Sequence, residues 1–76
     1  MTEWEYAFLQ AKSFSDNRGG EYQEITFCGP QGFAQPVQAS SAIPILNKFG
    51  KDGWEAFYIE AIQYGRIYWL KRPASR

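Results

Sequence analysis

The amino-acid sequence predicts an α+β fold: an antiparallel β-sheet of about four strands with one amphipathic helix on one face, in the order β-β-α-β-β. Three observations lead there. Two early segments alternate apolar and polar residues with the period of two that a half-buried strand requires. A segment at residues 42–49 repeats its apolar residues at helical spacing. Two further strand-like runs follow it, joined by a short glycine-bearing turn. At 76 residues the chain makes one domain, 1–76.

Residues 2–12 form the first expected strand. Trp4, Tyr6 and Phe8 fall on one side; Glu3, Glu5, Ala7 and Leu9 fall on the other, which turns apolar toward its C-terminal end. Ser, Asp, Asn and Gly dominate the next stretch, and Gly19-Gly20 is a turn signal, so residues 13–21 read as a flexible hairpin loop. Residues 22–28 make a second strand, with Tyr22, Glu24, Thr26 and Cys28 on one face and Gln23, Ile25 and Phe27 on the other. The Gly/Pro/Gln-rich insert at 29–38 breaks this ladder. Pro36 bars a central strand, leaving a loop or a short edge strand around residues 33–38.

The helix comes next. Ser40 or Ser41 supplies its N-cap, and Pro44 lies in the first turn, where a missing N–H is harmless. Ala42, Ile45, Leu46 and Phe49 form one apolar stripe. Gly50 is expected at the left-handed C′ position, with Lys48 and Lys51 at the negative end of the dipole. So short a helix needs a sheet to hold it. Residues 54–62 read as a third strand, with Trp54, Ala56, Tyr58 and Ile62 on one face and Phe57, Ile59 and Ala61 on the other. A strand apolar on both faces is expected to be central and covered on both sides. Gln63-Tyr64-Gly65 turns the chain into a fourth strand, 66–71, where Ile67, Trp69 and Lys71 alternate with Tyr68 and Leu70. Pro73 ends it and 73–76 form a short tail.

Residues 46–57 read LNKFGKDGWEAF. With Trp4-Glu5-Tyr6 near the start and Leu70-Lys71-Arg72-Pro73 near the end, the chain resembles the DUF4177 family of small uncharacterised proteins. That family commonly shows a WEY-type first strand, a central LNxxGxxGWE motif and a KRP-like final strand. The resemblance spans nearly the whole chain. It departs at the insert of 29–38 and at Ala56, where a larger aliphatic is usual. It implies a fold and no activity. Physically the motif reads as structure: Leu46 and Trp54 pack the helix on the sheet, Gly50 caps the helix, Gly53 permits the sharp turn into the strand, and Asn47 bonds the turn backbone.

A chain this short buries only about 60% of its unfolded surface, so it needs a dense core or outside help. Cys28 is the single cysteine and histidine is absent, which leaves no intrachain disulfide and no ordinary zinc site. No cofactor is expected. Six Phe, five Tyr and three Trp make the chain 18% aromatic, more than one helix-on-sheet core can hide. The surplus is expected on an uncovered sheet face or edge where a partner docks. Eight acidic and eight basic residues cancel, which argues against a strong grip on nucleic acid or anionic membrane. No run is long enough to span a bilayer, the first ten residues lack a basic-then-apolar pattern, and the lone thiol suits a reducing compartment, so a cytoplasmic protein is expected.

The catalytic inventory is poor. Without histidine there is no usual general base at neutral pH. Cys28 reads as a small half-buried hydrophobe, Asp52 as a turn residue, and Glu55 and Glu60, five apart on a strand, as facing opposite sides. Gly29-x-x-Gly32 lacks the lysine and helix start of a phosphate loop. The leading expectation is therefore a non-enzymatic interaction module that self-associates as a dimer or higher homo-oligomer, with Trp4, Tyr6, Tyr58, Tyr68 and Trp69 as candidate contacts. The alternative is binding of a small ligand, nucleotide or single-stranded nucleic acid by the basic and aromatic C-terminal strand, through Arg66, Tyr68, Lys71 and Arg72. A third class, an accessory or inhibitor protein acting on a larger partner, rests on size alone.

Overall fold

The computed structural model describes residues 3–15 and 18–74. The elements are β1 (Trp4–Ser15), β2 (Glu21–Gly29), β3 (Gly32–Phe33), β4 (Val37–Ala39), α1 (Ile43–Lys51), β5 (Glu55–Ile62) and β6 (Gly65–Pro73). All six strands join one antiparallel sheet in the order β3-β2-β1-β6-β5, and β4 also pairs with β2.

This corrects the expected class. Among the described residues the protein is mostly β: six strands with one short helix, in the order β-β-β-β-α-β-β, and not a four-stranded α+β unit. The difference lies in the insert. Residues 29–38 fold back on β2, pairing Cys28 with Phe33 and Ile25 with Val37, and Pro36 sits in the gap between the two short strands. The hairpin loop also shrinks. Phe14 stacks on Tyr22 (centroids 5.7 Å apart, planes at 20°), which carries the β1–β2 ladder out to Ser15 and Glu21. Residues 16 and 17 of the expected loop, residue 2 of the expected first strand, and residues 75 and 76 of the expected tail lie outside the described residues. Pro73 still belongs to β6, opposite Trp4.

Paired residues in an antiparallel ladder share a face, so the register sorts the side chains. Ala7, Leu9 and Ala11 of β1, Ile25 of β2, and Tyr68 and Leu70 of β6 line the helix side. With Ala42 and Trp54 they form the buried core, and Phe27, Ile45, Leu46 and Phe49 pack against it. Phe27 stacks on Phe49 at 4.2 Å and meets Trp54 edge-on at 5.8 Å. The core is small: only Leu9 and Leu70 are large side chains fully hidden, and α1 contributes no buried residue of its own.

Three local expectations also change. The helix ends on a Schellman arrangement, with the Trp54 N–H donating to the Phe49 carbonyl (3.1 Å) and the Gly53 N–H to the Gly50 carbonyl (3.0 Å). The left-handed C′ residue is therefore Gly53 (φ 93°), while Gly50 lies inside the helix. At the other end Ala42 occupies the cap position, and the Ser41 hydroxyl accepts the Ile43 N–H at 3.2 Å. Finally, the strand expected at the centre is at the edge. β5 pairs only with β6, and Phe57, Tyr58 and Ile59 are all about half exposed.

Candidate functional site

The helix covers one face of the sheet, and no described element covers the other. That open face carries the alternate residues of each strand: Trp4, Tyr6 and Phe8 of β1, Cys28 of β2, Phe33 of β3, and Ile67, Trp69 and Lys71 of β6. A β-bulge between Ala56 and Tyr58 turns both Phe57 and Tyr58 of β5 onto the same side. Their rings touch in sequence across the sheet. Phe33 meets Phe8 at 6.1 Å, Phe8 meets Trp69 at 5.2 Å, and Trp69 is paired with Tyr58 on the edge strand. One step along, Tyr6 meets Phe57 at 6.2 Å. The result is an aromatic strip from one sheet edge to the other, with Tyr6 60% and Tyr58 59% exposed.

Charged groups in the strip are engaged locally. The Lys71 ammonium lies 4.5 Å from the Trp4 ring centre and 5.7 Å from that of Phe57, a cation–π clamp that also covers apolar surface with its stem. The Glu60 carboxylate accepts the Trp69 indole N–H at 3.0 Å. The bulge also changes the parity of β5. Glu55 lies opposite Lys71 and Glu60 opposite Ile67, so the two acids share the open face instead of lying on opposite sides. Their partners stand four positions apart on β6, about 13 Å along a strand, too far for a carboxylate pair.

Four of the five residues expected to mediate self-association, Trp4, Tyr6, Tyr58 and Trp69, therefore converge on the open face. Tyr68 does not: it is 9% exposed in the helix-side core. The residues expected to hold a ligand or nucleic acid are split. Lys71 lies on the open face, whereas Arg66, Tyr68 and Arg72 lie on the helix side. Arg72 is engaged there, with Nε donating to Glu5 Oε1 at 3.2 Å, a terminal nitrogen donating to the Asp52 carbonyl at 3.1 Å, and the guanidinium 4.3 Å over Trp54. The motif residues Leu46 and Trp54 pack on the sheet as expected, while Asn47 is exposed on the helix.

Sequence reasoning overlooked Phe8, Phe33 and Phe57 as surface residues. The alternation in β1 carried the signal for Phe8. Phe33 and Phe57 depended on a two-residue strand and a bulge that no periodicity announces. A groove of about 1060 Å³ lies at the far end of the β1–β2 hairpin, against Lys12, Phe14, Tyr22, Ile62 and Tyr64. Among the described residues, no helix is long and apolar enough to cross a membrane. Comparison with protein-family models, curated proteins and solved structures gives no match.

Proposed function

We propose that this chain is a non-enzymatic interaction module that self-associates through its aromatic sheet face or the edge strand that borders it. The observation that supports this reading is the aromatic strip across the open face. Contiguous apolar patches of this kind on a small domain mark contact surfaces, and aromatic residues are the side chains that interface cores favour. The resemblance of residues 46–57 to the DUF4177 family belongs to this reading and adds no activity to it.

Light scattering and sedimentation test it. The wild-type chain is expected to run heavier than its 8.8 kDa monomer mass at micromolar concentration. A charge where the strip meets the edge strand, Tyr58→Lys, is expected to shift it toward the monomer while leaving the far-ultraviolet spectrum unchanged. A wild-type chain that stays monomeric at high micromolar concentration removes the reading.

A further inference from the structure

We infer that the contact is made by the free edge of β5, which pairs antiparallel with β5 of a second copy about a two-fold axis near Ile59. This rests on the reading of self-association and names its geometry. The two edges of the sheet differ. On one side β3 and β4 are only two and three residues long, flanked by Gly29-Pro30 and interrupted by Pro36, the devices that blunt an edge against pairing. On the other side β5, EAFYIEAI, contains no lysine and no proline, and all but two of its residues are exposed. Its one irregularity, the bulge at Phe57, leaves the ladder regular from Tyr58 to Ile62.

The hairpin shows which backbone groups are free. Gln63 and Tyr64 form a two-residue turn, which makes Ile62↔Gly65 a hydrogen-bonded pair. Such pairs alternate along an antiparallel ladder, so Glu60 also bonds to β6 while Ile59 and Ala61 direct their N–H and C=O groups out of the sheet edge. A second copy related by a two-fold axis at Ile59 meets the Ile59 groups with its own, while Ala61 lies opposite Phe57 at the bulge. Ile59 then lies opposite Ile59, adding its 55%-exposed side chain to a matched apolar pair. Tyr58 lies opposite Glu60 of the second copy, so that a phenol faces a carboxylate. Moving the axis to Glu60 would set two carboxylates against each other, a destabilising arrangement. The register at Ile59 therefore avoids like charges directly opposite each other.

The zero net charge sets no long-range repulsion between copies.

The experiment uses the full chain and measures mass by sedimentation over a concentration series, with amide hydrogen exchange read at the dimer and monomer ends. A dimer is expected, with the Ile59 amide protected in the dimer and fast in the monomer. Ile59→Pro removes an outward N–H and Ile59→Lys places an edge-blunting charge; each is expected to abolish the dimer at concentrations where the wild type holds it. Should Ile59→Pro fail to fold, Ile59→Lys decides. If Ile59→Lys remains dimeric while Tyr6→Lys dissociates the protein, the copies meet face to face: edge pairing is overturned and self-association stands. A wild-type monomer overturns both.

Discussion

At Gly53 the backbone takes φ 93°, and no described residue of α1 does the same. A Cβ there forces a left-handed L-residue, whereas a Cβ on Gly50 meets no atom within 4 Å and sits in a helix that prefers alanine. The two motif glycines should respond in opposite directions. Gly53→Ala is expected to destabilise by about 1–2 kcal/mol, and Gly50→Ala to stabilise by about 0.5–1 kcal/mol, both read from urea midpoints. Tyr64 presents the reverse case. It is the one described non-glycine residue with positive φ (65°), at the tip of the β5–β6 hairpin, and it is largely exposed. Tyr64→Gly should raise stability by about 1 kcal/mol; an unchanged or lower melting temperature would show that the Tyr64 ring makes compensating contacts. The neighbouring Gly65 has a different requirement, because a Cβ there runs into the Ala11 carbonyl of β1.

At the scale of elements, α1 is held less by burial than by its exit. Asp52 and Trp54, just past the helix, are bound to β6 through one side chain, Arg72, which bonds the Asp52 carbonyl, covers Trp54 and pairs with Glu5 of β1. A lysine keeps the charge but loses the planar fork and the ring stacking. Arg72→Lys is therefore expected to cost about 1 kcal/mol, most of it from the cation–π contact and the partly buried ion pair, and to approach the effect of Arg72→Ala in thermal melts. An Arg72→Lys variant as stable as wild type would assign the helix exit to Trp54 packing alone. The individual elements were readable: alternation exposed β1, β2 and β6, and the i, i+3, i+4, i+7 stripe located α1. β5 was readable as a strand but not in its place, because an apolar run looks the same whether it is covered by a protein layer or waiting for one.

For the whole molecule, the described residues span 52 × 20 × 19 Å around eight buried hydrophobic residues, three of them alanines. So slender a core sets a low intrinsic stability. If association completes it, mass action makes stability depend on concentration. The melting temperature is expected to rise steadily with protein concentration in the micromolar range for the wild type and to be flat for Ile59→Lys. A flat wild-type curve at concentrations where the protein is dimeric would mean that the interface contributes little to folding.

The sequence by itself determined local matters: which residues alternate, where the helix lies, that the aromatic residues exceed what one core can hide, and that Trp4, Tyr6 and Phe8 share one side of their strand. These follow from backbone periodicity and composition, which act within a few residues. Only the tertiary structure decided that the insert adds two strands, that β5 lies at an edge, that its bulge brings Phe57 and Tyr58 to the open face, and that Tyr68 and Arg72 lie on the helix side. Strand order depends on non-local pairing, and one extra residue in a ladder reverses the side of everything beyond it. The uncovered aromatic face was therefore foreseeable as a surplus, while its position and its free edge emerged only when the strands were placed.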